Sequence, residues 1–74
     1  MSAYVEMRPV ISSNVARIGY DQGRLELHVE FKHGGAYVYH GVLPEEHAGL
    51  MAAESIGSHL AKRFKGSRPV TKKG

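Results

Sequence analysis

Apolar and polar residues alternate most regularly where Leu25, Leu27, Val29 and Phe31 are separated by Glu26, His28 and Glu30. A period of two puts each set on its own face of an extended chain, so residues 24–31 predict a half-buried β-strand. Residues 14–20 predict a strand before it, because Val15, Ile18 and Tyr20 favour extended backbone although their alternation is broken. Asp21-Gln22-Gly23 joins the two as a hairpin turn, with Gly23 available for positive φ. Lys32-His33-Gly34-Gly35 is the next turn, and residues 36–42, with Tyr37, Val38 and Tyr39, form a third strand. Pairing Phe31 with Tyr37 and Val29 with Tyr39 brings both tyrosines onto the apolar face and sets His28 opposite His40 on the other. A slip of one residue would reverse those faces. Residues 4–11 predict at most a short edge strand, since Pro9 cannot donate a ladder hydrogen bond. Ser12-Ser13-Asn14 is a turn signal.

The pattern changes at Pro44-Glu45-Glu46, where proline suits a first helical position and two acids favour the positive end of the helix dipole. Residues 44–53 predict a short helix with Leu50 and Met51 facing inward. A second helix follows from Ser55 as N-cap, with Ile56, Leu60 and Phe64 spaced i, i+4, i+8 as one apolar stripe. Lys62, Arg63 and Lys65 complement its negative end, and Gly66 stops it. Residues 67–74 have little to bury and are expected to be disordered. The expected fold class is α+β: a three- to four-stranded antiparallel β-meander packed by one or two short C-terminal helices, with a disordered basic tail. Residues 1–65 make a single domain and residues 66–74 a flexible tail.

Length and charge sharpen this picture. A chain of 74 residues has room for one domain and buries only about 60% of its unfolded surface, which makes stability modest. The absence of cysteine excludes disulfides, thiolate metal sites and cysteine nucleophiles. The opening residues lack the apolar core of a secretory leader, and no apolar run approaches the about 20 residues of a membrane helix. A soluble, cytoplasmic, monomeric protein is therefore expected. Residues 1–61 carry Arg8, Arg17, Arg24 and Lys32 against Asp21, Glu6, Glu26, Glu30, Glu45, Glu46 and Glu54. Residues 62–74 carry Lys62, Arg63, Lys65, Arg68, Lys72 and Lys73 and no acid, so a mildly acidic body bears a strongly basic end.

The order of these pieces resembles the KTSC domain, a module named for its occurrence at the C-terminus of some lysyl-tRNA synthetases. The resemblance is carried by Ser12-Ser13-Asn14, Ile18-Gly19-Tyr20, the alternating strand Leu25 to Phe31, Gly34-Gly35-Ala36-Tyr37-Val38-Tyr39, Val42-Leu43-Pro44 and Ala53-Glu54-Ser55-Ile56-Gly57-Ser58. It spans roughly residues 10–65, and its specificity lies in order and spacing rather than in any single piece. His59-Leu60 stands where the family usually has aromatic residues, and the basic end is longer than the pattern requires. The resemblance implies an α+β module and leaves activity undefined. The chain also resembles a small phage regulator of host RNA polymerase, which implies a protein partner.

Candidate chemistry is sparse. Five histidines, His28, His33, His40, His47 and His59, invite a metal hypothesis, but their spacing fixes no third ligand, and no cofactor is expected. His28 and His40 facing each other across a sheet lack the pocket an acid–base pair needs. Ser12, Ser13, Ser55 and Ser58 sit in no nucleophile elbow, and Gly34-Gly35 precedes a strand rather than a phosphate-binding helix. Tyr37 and Tyr39 suit either a base-stacking platform or the core, and the core is favoured because a small domain needs the area. The strongest candidate site is the set Lys62, Arg63, Lys65, Arg68, Lys72 and Lys73, which suits phosphate backbone or an acidic protein surface. Five neutralised phosphates would give a log–log salt slope of roughly −3.5 to −4.5. Val5, Met7, Arg8 and Val10 on an edge strand form a candidate protein-docking surface. The expected function is a non-enzymatic binding module that docks on a transcription or translation complex, RNA polymerase being the suspected target. The alternative is an accessory RNA- or DNA-binding domain that uses the basic tail.

Overall fold

The structure is a computed structural model that describes residues 5–64, 66 and 68–73. Five strands and two helices follow in the order β1 (Arg8–Pro9), β2 (Val15–Asp21), β3 (Glu26–Phe31), β4 (Ala36–His40), α1 (Pro44–Met51), α2 (Ile56–Arg63) and β5 (Val70–Lys72). The sheet is antiparallel throughout, and its spatial order, β1-β2-β3-β4-β5, is also the chain order. The helices pack on one face. Leu50 from α1 and Ile56 and Leu60 from α2 join Val15, Ile18, Leu27, Val29, Phe31 and Tyr39 in one core, with Val42 and Phe64. Each fully buried leucine there contributes about 1.5–3 kcal/mol.

The broken alternation of β2 has a structural cause. A bulge between Val15 and Arg17 inserts an extra residue opposite β3, so Val15 pairs with Phe31 and Ile18 with Val29, and both valine and isoleucine face inward. In the β3–β4 pair the observed partners are Val29 with Tyr37 and Leu27 with Tyr39. This register differs by two residues from the expected one because the turn is tighter: Phe31 and Gly35 close it, with Gly34 and Gly35 both at positive φ. A two-residue shift preserves the faces, which is why the tyrosines still point to the apolar side. It does change the histidines. His40 stands opposite Glu26, and His28 opposite Val38.

Three further expectations are corrected. Gly23 does not take the left-handed conformation of the first hairpin; Leu25 does, at φ 55°, while its carbonyl accepts the Val42 N–H at 2.9 Å. Met51 is 40% exposed, since α1 ends there and turns only Leu50 inward. Residues 70–72 are a fifth strand instead of part of a structureless tail. Backbone pairing, rather than apolar burial, holds it: Tyr37 pairs with Lys72 and Tyr39 with Val70, flanked by His40 N–H to Pro69 carbonyl and Lys73 N–H to Ala36 carbonyl bonds. Ser67 and Gly74 lie outside the described residues.

The chain preceding β1 lies against β2 at Gly19. A Cβ there would stand 2.7 Å from both Met7 Sδ and Val5 Cγ1 and 2.8 Å from the Glu6 carbonyl oxygen. Side chains can turn aside, but the carbonyl can move only with its backbone. Gly19→Ala is therefore expected to lower stability by about 1–3 kcal/mol, read as a lower urea midpoint at unchanged slope. An unchanged midpoint would show that residues 5–7 are not seated on the sheet.

Candidate nucleic-acid interface

The docking candidates at the start of the chain are engaged within the fold. Val5 and Met7 are half-buried against Gly19, and Val10 packs on the core. Arg8 is exposed and 3.4 Å from the Glu6 carboxylate. Pro9 gives β1 an edge with a missing donor, as the sequence indicated.

The basic candidates divide. Arg68 is a structural residue. Its Nη1 and Nη2 donate to Glu46 Oε1 and Oε2 at 3.0 and 2.8 Å, and Nη1 also donates to the Gly41 carbonyl at 3.1 Å. Its guanidinium lies 4.7 Å from the centroid of the Phe64 ring. Glu46 Oε1 also accepts the Leu43 N–H at 2.9 Å, closing the first turn of α1. The Arg68 hydrogen bonds, followed by that from Leu43, hold the Glu46 carboxyl down at about 2, and the same bonds raise the pKa of Arg68. Lys62, Lys72 and Lys73 are exposed. Arg63 is exposed on α2 and engaged in an interaction of its own. Lys65 lies outside the described residues.

The two tyrosines part company. Tyr39 is 3% exposed and meets Phe64 edge-on, a core role. Tyr37 is half-buried and lines an open cleft of about 320 Å³ with Asn14, Phe31, His33, Tyr39 and Val70. His33 lies parallel to Phe31 at 5.7 Å between centroids, and Tyr37 meets Phe31 edge-on at 5.6 Å. Phe31 itself is 8% exposed, so the accessible rings are His33 and Tyr37. The described lining residues include no carboxylate. Lys72 is the cross-strand partner of Tyr37, which places the two side chains on one face of the sheet. Lys32, exposed, sits between Phe31 and His33 in the turn.

Sequence reasoning named Tyr37 and Lys72 and put Phe31 beside Tyr37, but missed His33 and Asn14 as their neighbours. His33 continues the odd-numbered apolar parity of β3 past Phe31, and that was a readable signal. Asn14 had none, because its place depends on a tertiary contact: its Oδ1 occupies the space that a Gly57 Cβ would need.

The histidines on the opposite face form a polar ladder. Glu26 Oε1 is 3.3 Å from His28 Nε2 and Glu26 Oε2 is 3.7 Å from His40 Nδ1, while His40 Nε2 bonds Thr71 Oγ1 at 2.8 Å. Among the described residues no group of three or more His, Cys, Asp or Glu is arranged to hold a metal ion. His47 stacks on Tyr20 at 4.5 Å, and burial lowers its pKa. Tyr20 donates its hydroxyl to the Val42 carbonyl, and burial, then the Glu46 charge, raises its pKa. No helix of the described residues is long and apolar enough to cross a membrane.

The model of the KTSC domain family matches residues 11–67. The chain belongs to the KTSC domain family. The crystal structure of a KTSC domain protein from Yersinia pestis superimposes with a TM-score of 0.91 at 34% identity, covering 96% of this chain and all of that one. An uncharacterized protein of Stutzerimonas stutzeri is 41% identical over 54 residues, 73% of this chain and 76% of the relative. A protein of Tsukamurella paurometabola is 43% identical over 51 residues, 69% of this chain and 76% of the relative. The family model begins at Ile11, after β1, and ends before Arg68, whereas the Yersinia pestis structure covers nearly the whole chain, including most of the residues on either side of that span.

The Glu46–Arg68 pair makes stability depend on acid. A carboxyl whose folded pKa is about 2 against an ordinary 4.5 contributes fully above pH 4.5, and that contribution is lost as pH falls towards 2. Arg68→Ala should cost about 1–2 kcal/mol at pH 7, a range kept low because the Glu46 side chain is 35% exposed. Urea melts from pH 7 to 2 should show the gap between the proteins narrowing below pH 4.5. A pH-independent gap would mean that Arg68 acts through packing on Phe64 alone.

Proposed function

We propose that this KTSC protein is a non-enzymatic binding module that attaches to the nucleic-acid component of a transcription or translation complex. The observation that carries this reading is the aromatic cleft with no carboxylate among its described lining residues, beside which β5 sets Lys72 on the same face as Tyr37. Stacking faces next to cations are what a phosphate-linked chain of bases recognises. Lys62 and Lys73, both exposed, extend the positive charge on either side of Lys72 in sequence. Arg68, engaged with Glu46, is excluded from the phosphate count. Of the three lysines only Lys72 is set beside the cleft by the sheet register, Lys62 lying on α2 and Lys73 following on the other side of β5, so at most three cations contribute rather than six and the salt dependence is correspondingly shallower.

Docking on a protein of the same machinery, RNA polymerase in the phage-regulator form of the idea, is the second reading. What favours it is a second cleft between β1 and α1, where Arg8, Tyr20, Pro44, His47 and the 40% exposed Met51 meet. Its charged residues, Arg8 and Glu6, pair with each other, which leaves no net charge to name a partner.

Fluorescence titration of oligonucleotides at increasing salt tests the first reading. Three phosphate contacts to a single strand give a log–log slope of about −2. The double substitution Lys72→Gln, Lys73→Gln should reduce affinity for every sequence and flatten the slope by about 1.4. Failure of the intact chain to bind any nucleic acid at low salt would overturn it. Co-purification with polymerase subunits from nuclease-treated lysate would then leave the protein-docking reading to be tested at Met51 and Arg8.

A further inference from the structure

We infer, resting on the nucleic-acid reading just given, that the Phe31–His33–Tyr37 cleft takes one unstacked nucleobase, so the ligand is a single-stranded segment and not a duplex. The shape of the cleft decides this. His33 and Phe31 are within 4° of parallel, with His33 the outer ring, while Tyr37 stands at 78° to Phe31. The arrangement is a corner: a flat ring laid on exposed His33 meets the half-buried Tyr37 along its edge. A base has two faces to offer such a corner only when its neighbours are no longer stacked on it, and a duplex keeps those faces covered.

The remaining wall fits the rest of a nucleotide. Asn14 contributes an amide whose Oδ1 already accepts from the Ser12 hydroxyl at 3.1 Å, which leaves its N–H donors for the polar edge of a base. Val70, 41% exposed, contributes apolar surface from β5. Lys72, two residues on and on the same side of that strand, stands where the phosphate leaving the base would pass. A volume of about 320 Å³ holds one base and its sugar. The site therefore takes a nucleotide in a loop, bulge or free strand, in RNA or DNA, and the lysines hold the backbone that carries it.

Fluorescence anisotropy with end-labelled eight-nucleotide single strands of RNA and of DNA, and with an eight-base-pair duplex, tests this on the intact chain. The single strands should bind more tightly than the duplex. His33→Ala, at an exposed position, should weaken single-strand binding by about tenfold and leave duplex binding unchanged. Tyr37→Leu should do the same, with far-UV circular dichroism confirming its fold. A 2-aminopurine placed within the strand should lose fluorescence on binding to the intact protein and keep it with His33→Ala. Lys72→Gln should weaken both kinds of ligand. Equal affinity for single strand and duplex, unaffected by His33→Ala, overturns the base-binding cleft while leaving electrostatic attachment standing. Binding of none of these oligonucleotides overturns both. A preference between the RNA and DNA strands would identify which backbone the lysines read, the cleft being supported in either case by the loss at His33.

Discussion

One carboxylate organises the lower half of the molecule. Glu46 receives the Leu43 N–H that closes α1 and both terminal nitrogens of Arg68. Arg68 in turn lies on Phe64 at the end of α2 and reaches the Gly41 carbonyl beyond β4. A single fork-to-carboxylate contact thereby joins both helices, the exit from the sheet and the approach to β5. Bidentate geometry matters here, because it fixes direction as well as distance. With Arg68 so directed, Pro69 meets His40 and Val70 falls beside Tyr39. The cleft wall and the position of Lys72 both follow from that alignment.

The sheet therefore has two faces of different character. On the side away from the helices, Glu26 stands between His28 and His40, and Arg17 pairs with Glu30, so each of these carboxylates has a polar partner. On the helix side, beyond the edge of the core, the exposed His33 and half-buried Tyr37 stand beside Lys72 with no carboxylate among the described lining residues. Matched surfaces interact weakly with ligands, while unmatched ones have free energy left to gain. This contrast, rather than the amount of basic charge in the chain, locates the candidate interface.

How much of this could be read from the chain depended on whether the cause was local. The strand Glu26–Phe31, the Ser55 cap and the stripe Ile56, Leu60, Phe64 were legible because each follows from periodicity or from one residue's hydrogen bond. The parity of the tyrosines was legible, but their register was not, since it depended on how tightly Gly34 and Gly35 turn. The bulge in β2 showed itself only as an alternation that failed. Strand β5 was hidden for a different reason. Its residues bury little, and they are ordered by backbone pairing and by an arginine whose acid lies 22 residues earlier. Basic composition concealed the difference between Arg68, which holds the fold together, and Lys72, which is exposed.

Because spatial order in the sheet follows chain order, each strand pairs with the one made just before it. Such neighbour-to-neighbour growth involves small loop closures and suits folding during synthesis. Its last step is the exception. While residues 68–72 are still unmade, β4 is the sheet edge, Glu46 lacks its counter-charge and the aromatic corner lacks its Val70 wall. A nascent chain released short of Arg68 would carry the whole apolar core and yet expose an unpaired strand bearing Tyr37 and Tyr39. The edge that would otherwise be open to association with other chains is thus covered only once the chain has been made through Lys72.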